Sequence, residues 1–599
     1  MKFNFPFGIE LWAVLVLSFM SASSAAIPDN SLPEGGRNLL EGSSPQPLLG
    51  NGDATLQREN HPEHGEVWRY IIARQPKSPW SVQMGESITG SIKKGDKCLL
   101  TFLARSSSGK ANGTANVEIR EAPDYFKVGT RDFQATTEWM PVHVPFIAAK
   151  TVPDGKGGVA LHLGGQVQTI EIARVQLLNY GTDFDFAKLP HPVFTYEGRA
   201  ADASWRKEAL ARIEKLRKGS LKIEVVDASG KPVRGAEVHA VLKRHAFGFG
   251  SAVTAKMLCD PSADGEKYRA IVDECFSRVV FENDLKPFAW DIYKGENKYG
   301  GFRKPWLDQA LSWLGERRIP VRGHYLCWGP FEPWSEKLRS QPQAIRETVL
   351  AHMREKLPAV GDRVCEWDAL NHPAAWQKAM CVDTVLGDKF YTEVFTEARK
   401  LTKLPLWINE DQVFRPGRQQ EEYFVIIKNI IASGAIVDGI GNQAHFHSSF
   451  LPSPEEMLRN SDRFAALVPA LQLTEFDVNT EGDESLAADF TRDLLITCFS
   501  HPAYTGFVMW GFWEGSHWKP ETALWRKDWS EKPNAKVWRE WVCGKWKTDA
   551  TLPTDADGKV SVPGFFGRYE VIVKHAGTST RQDILLENGK DIVTKVILK

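Results

Sequence analysis

Glu475 lies in the run LQLTEFD, two residues before Asp477, where an apolar stretch turns polar. CEWDALNHPAAW does the same, ending its apolar part in Asp368, Asn371 and His372, and GIGNQAHFH sets Gln443 and His445 at a third such point. FENDLK adds Glu282, Asn283 and Lys286, RGHYLCW adds His324 and Trp328, and WGFWEGSHW adds Trp510 and Trp518. A carboxylate surrounded by hydrogen-bond donors stays ionised and aimed, which is what a nucleophile needs. Glu475, with Gln443, His445 and Asp477 to bond around it, has that character. Histidine ordinarily titrates near pH 6.5, so His372 is of the right type to move a proton at neutral pH. Glu282, Asn283, Lys286, His324 and Asn371 are types that bind hydroxyls, and the tryptophans offer flat faces to a ring. Nucleophile, proton donor, hydroxyl binders and ring platforms together fit the cleavage of a bond between sugars.

Such groups must converge, and the sequence supplies a scaffold. Eight strand-like runs stand out: SAVTA (251–255), RVVFEND (278–284), VRGHYLCW (321–328), CEWDALN (365–371), LWINED (406–411), GIGNQAH (439–445), LQLTEFD (471–477) and GFVMWG (506–511). Amphipathic stretches such as KPWLDQALSWLGERR follow them. Eight β/α units over residues 247–545 predict a (β/α)8 TIM barrel. The polar residues collect at the C-terminal end of each run, the end that carries the active site in this fold.

The flanks predict a multidomain chain. Residues 1–26 read as a signal peptide: a lysine, an apolar run from Leu11 to Met20 and small residues to Ala26. The expectation is a secreted protein, extracellular or periplasmic, with no membrane span. Residues 27–50 are Pro/Gly/Ser-rich and read as a linker. Period-two runs over 51–180 predict an N-terminal β-sandwich, whose order of runs resembles jelly-roll carbohydrate-binding modules, with Trp68, Trp80 and Trp139 as candidate sugar platforms. Residues 181–220 read as a linker ending in a surface helix, WRKEALARIEKLRKG. Residues 221–246 and 548–599 each hold too few strands for a sheet of their own, and together predict a small split β-sandwich, a collar into which the barrel is inserted.

Charge is balanced, with 74 basic and 75 acidic residues, which argues against a nucleic-acid partner. Eight cysteines lack CxxC spacing, and no metal-ligand spacing is visible, so no cofactor or metal is expected. The expected partner is a polysaccharide, met by a monomer.

The central segments, in their order, resemble glycoside hydrolase family 10, the β-1,4-xylanase family. FENDLK is similar to its EN-x-x-K, RGHYLCW to its G-H-T-L-V-W, GIGNQAH to its G-I-G-x-Q-x-H, LTEFD to its I-T-E-L-D, and WGFWEGSHW to its W-G-x-x-D-x-x-S-W. The resemblance implies a retaining hydrolase of xylan or a related polysaccharide, with Glu475 as nucleophile. The chain departs from the pattern at four places. His372 stands where the family's D-x-x-N-E carries its acid/base glutamate, Glu410 where an Asp is usual, Pro287 where a Trp follows the lysine, and Gly329 where a His is common. Three readings of His372 stay open: it is itself the acid/base, another carboxyl such as Glu410 or Glu514 serves instead, or the cleft binds glycan without cleaving it. The last includes a polysaccharide-binding or adhesion protein.

Overall fold

The structure is a computed structural model that describes residues 32–598 except 108, 110, 121–124, 192–193, 291–303, 376–377 and 591–592. The signal expected over 1–26 lies outside the described residues. The chain divides into two compact units, Met1–Val193 and Phe194–Lys599.

The first unit is an antiparallel sandwich of a six-stranded and a five-stranded sheet. Alternating residues such as Val142, Val144 and Phe146 point into the layer between them. The stretch 27–50 is no mere linker. Arg37–Asn38 pairs with Gln168–Asn179, and Gln46–Leu49 pairs with Val82–Ser87. Leu39 and Leu40 are buried, so paired leucines anchor a stretch whose prolines and glycines suggested none. Of the three tryptophans proposed as platforms, Trp68 is in the core, and Trp139 is half-buried with Arg105 across its face and His64 against its edge. Trp80 is the exposed one.

The second unit holds the barrel and the split sandwich. Eight parallel strands form the barrel: β1 (Gly248–Val253), β2 (Arg278–Phe281), β3 (Val321–Gly323, resuming at Cys327–Trp328), β4 (Glu366–Asn371), β5 (Leu406–Glu410), β6 (Gly439–Asn442), β7 (Leu471–Asn479) and β8 (Tyr504–Met509). Each pairs with its successor, and β1 pairs with β8 to close the ring. The expected runs correspond to these strands, except that RGHYLCW and GIGNQAHFH are interrupted. His324–Leu326 and Gln443–Ala444 leave the ladder where the chain reaches the cleft.

Lys218–Val226 pairs with Lys559–Phe565 and Val593–Ile597, and Glu237–His245 pairs with Asp549–Pro553 and Gly567–His575. The helix Ser204–Arg217 is not a surface helix. Trp205, Ala209 and Ile213 repeat every fourth residue and are buried, and Arg206 ion-pairs with Asp493 of the helix Glu484–Ser500. The charged residues in its other positions hid that stripe. Among the described residues no disulfide joins any of the eight cysteines.

A polar seam crosses the barrel interior. Arg322, 1% exposed, reaches Glu366 at 2.8 Å and grips Asp368 with two guanidinium nitrogens, while Arg278 reaches Glu366 at 3.0 Å and Gln472 donates to both Glu366 oxygens. Asp368 passes the seam upward by accepting from His324 Nδ1 at 2.8 Å. Buried charges of this kind persist only when paired and hydrogen-bonded.

Candidate active site

Glu475 is buried on β7 and three elements converge on it. Asn409 of β5 donates Nδ2–H to Oε1 at 2.7 Å, His445 Nε2 lies 3.4 Å from Oε2, and His324 Nε2 lies 3.9 Å from Oε1. Burial alone would raise this carboxyl. His324, the hydrogen bond and charge of His445 and the charge of Lys286 outweigh it and hold the group down at about 2. Burial lowers His324 itself below its ordinary value, against the pull of Glu475 and Asp368. His445 is fixed by its other nitrogen, Nδ1, 2.8 Å from Asp477 Oδ2. Burial opposes its charged form, but Asp477 and Glu475 lift it to about 10, so it is an imidazolium across the neutral range. Asp477 Oδ2 also accepts from Trp518 Nε1 at 2.9 Å.

Asn371 ties the neighbouring strands together, accepting on Oδ1 from Asn409 at 3.0 Å and from Gln443 at 2.9 Å. Among the described residues, Gln443 Oε1 and Asp477 Oδ1 are buried without a hydrogen-bond partner. Buried acceptors left this way are costly, and a ligand's hydroxyls would offset them.

The tip of β2 supplies Glu282, Asn283 and Lys286. Lys286 Nζ donates to Asn283 Oδ1 at 3.0 Å and lies 5.7 Å from the Trp510 ring and 5.8 Å from the Tyr325 ring. Burial lowers the lysine against the pull of Glu475 and Glu282, and burial raises Glu282 against the pull of Lys286. Trp328 stacks on Tyr325 at 5.2 Å. Trp510 is not an open ring platform: it packs with Ala252, Val280 and Val508 and meets His324 edge-on. Trp518 is 47% exposed, with Lys519 Nζ 4.0 Å from its ring centre and His445 packed edge-on against it.

His372 follows the last residue of β4, and its backbone N–H donates to Asn409 O at 2.9 Å. Its backbone is left-handed (φ 56°), as are Ala375 (φ 36°), Gln412 (φ 55°) and Ala444 (φ 63°) beyond the tips of β4, β5 and β6. Non-glycine residues pay for that conformation, and such positions cluster at functional sites. The ring meets Trp328 edge-on at 4.7 Å, and its Nδ1 lies 2.8 Å from Glu410 Oε1. Burial would lower this imidazole. Glu410 first, then Asp411 and Glu475, raise it above 6.5 instead.

The thirteen residues given a catalytic or sugar-binding role in the barrel from the sequence lie at its strand tips or in the segments just after them. The sequence reading missed Asn409, which donates to Glu475 directly, and Arg322, whose charge inside an apolar strand run was the available signal.

A model of the glycosyl hydrolase family 10 domain matches residues 238–540. The chain belongs to that family. Anti-sigma-I factor RsgI6 of Acetivibrio thermocellus is 29% identical over 376 residues, 62% of this chain and 47% of its own length. Endo-1,4-beta-xylanase 2 of Arabidopsis thaliana is 22% identical over 540 residues, 88% of this chain and 46% of its own. The chain thus spans about half the length of these curated relatives. Among solved structures, native xylanase 10B from Thermotoga maritima aligns over 50% of this chain and 95% of its own, at 22% identity and a TM-score of 0.44.

Proposed function

We propose that this family 10 chain is a secreted retaining glycoside hydrolase acting on a β-1,4-linked polysaccharide of the xylan type. Glu475 is the nucleophile and His372 the acid/base. The observation that carries the reading is the charge state of the pair. A buried glutamate accepts from Asn409 at 2.7 Å, stands 3.4 Å from the His445 imidazole and is held low, while the imidazole just past β4 has Glu410 2.8 Å from its Nδ1 and is raised. In the first step the Glu475 carboxylate bonds to the anomeric carbon while the leaving oxygen takes a proton from His372. In the second, water attacks that carbon as His372 takes a proton from it, and Glu475 leaves.

The other carboxyls fit the role poorly. Glu410 is fully buried and accepts from five donors: His372 Nδ1, Asp411 N and Gln419 Nε2 on one oxygen, Ala374 N and Ala375 N on the other. Glu514 is held by Lys532 at 2.6 Å and by the Lys527 N–H, and although burial opposes it, these donors depress it, the wrong direction for an acid.

The test compares 4-nitrophenyl β-xylobioside with unactivated xylan. The expected result is a burst of nitrophenol and slower but measurable release of xylan fragments. No turnover of either, with retained binding to xylan, would replace the enzyme reading by a glycan-binding one.

A further inference from the structure

The three departures at Gly329, His372 and Glu410 meet at one place. A Cβ on residue 329 would stand 2.2 Å from the His372 carbonyl oxygen and 2.8 Å from the Pro373 Cα, so no side chain fits there while His372 keeps its left-handed backbone. That turn brings Nδ1 to Glu410. Glu410 cannot move to meet it, since its second oxygen caps the Ala374 and Ala375 N–H groups at 2.8 and 3.2 Å.

We propose that these residues are one coupled unit in which Glu410 is a positioning residue. Its carboxylate fixes the Nδ1–H of His372, so that Nε2, on the other edge of the ring, carries the transferable proton, and Gly329 leaves room for the turn. The inference rests on the His372 assignment above. During glycosidic cleavage the Nε2 proton passes to the leaving oxygen as its bond to carbon breaks. Glu410 stays a carboxylate and Nδ1 keeps its hydrogen. In the second step Nε2 takes the proton of the attacking water, and the imidazolium is restored.

Among the described residues, the charged groups acting on the ring are Glu410 at the end of β5, Asp411 just past it and Glu475 from β7. From the helix Arg418–Ala432, Arg418 donates to the Ala375 carbonyl and is ion-paired with Glu422. Of these, Glu410 makes the direct contact, so its charge should dominate the titration. A carboxylate at this range shifts a partner by about 1–3 units.

The test uses the full chain and E410Q, in which the amide oxygen still accepts from Nδ1 but the charge is gone. Imidazole NMR, with the His372 signal assigned from H372A, should show its titration falling by about 1–3 units in E410Q. The rate on unactivated xylan should fall about tenfold or more, and its alkaline limb should move to lower pH, because neutral imidazole has lost the proton to give. The loss on 4-nitrophenyl β-xylobioside should be much smaller. If E410Q does not fold, E410D, one methylene too short to hold Nδ1 and both N–H groups together, should change the titration in the same direction. An unchanged His372 titration in the folded variant overturns the proposal. Xylan inactivity of the native chain would instead defeat the functional reading, and the NMR titration would still decide the role of Glu410.

Discussion

The two walls of the cleft use the same pair of groups in opposite order. On the β6–β7 wall a carboxylate, Glu475, is at the front, with the imidazolium of His445 behind it and Asp477 behind that. On the β4–β5 wall the imidazole of His372 is at the front and the carboxylate of Glu410 stands behind. On the first wall His324, then His445 behind it and Lys286, hold Glu475 down at about 2 against burial. Placing the carboxylate second pushes His372 upward. Neither residue type sets the role alone. On the roles proposed above, the group behind it would decide whether the front group gives up electrons or a proton.

The comparison is broken most severely by removing the front carboxylate. Glu475→Gln should lower turnover of xylan and of the aryl xylobioside together by roughly 10⁴-fold or more, because no leaving group substitutes for a nucleophile. Steady-state rates on both substrates check this, and a variant that still cleaves the aryl substrate well would mean that the walls are misassigned.

Arg322 joins Glu366 and Asp368 below both walls. Arg322→Met leaves buried carboxylates uncompensated and should cost about 3–5 kcal/mol of stability, read as the shift of the urea midpoint.

The smallest effect is on pH. His445 is raised from 6.5 to about 10, so its contribution to stability is complete below 6.5 and lost as pH rises through about 10. Glu475 is lowered from 4.5 to about 2, so its contribution is complete above 4.5 and lost as pH falls through about 2. Melting temperature should therefore be highest between those two ordinary values, and Asp477→Asn should move the alkaline decline to lower pH. An identical alkaline profile for the variant would remove Asp477 from the account.

Much of this was legible in the sequence because a barrel strand writes its role in one line: apolar residues for packing, then polar residues at the tip. Glu475, Gln443, His445 and Asp477 followed from that pattern. What stayed hidden depends on backbone path or on partners distant in sequence. Glu410 reads in the sequence as a spare acid, whereas the structure puts five donors on it, and Gly329 reads only as a departure from the family pattern, whereas the His372 carbonyl occupies the space of its missing side chain. Trp510 had the type of a sugar platform, but its neighbours Ala252, Val280 and Val508 come from β1, β2 and β8, and no local pattern shows that they cover it. The helix Ser204–Arg217 misled for the opposite reason, since its charges are conspicuous and its buried stripe is only three residues.

The central claim is that His372 gives the proton. The most direct measurement is the rate ratio of native chain to His372→Ala across aryl β-xylobiosides of rising leaving-group pKa, with xylan as the extreme. A good leaving group needs no proton, so the ratio should be near one for dinitrophenyl and should climb to about 10²–10⁴ for xylan, the range of general acid catalysis. A ratio that stays flat across the series, or native rates for His372→Ala on xylan, would contradict it.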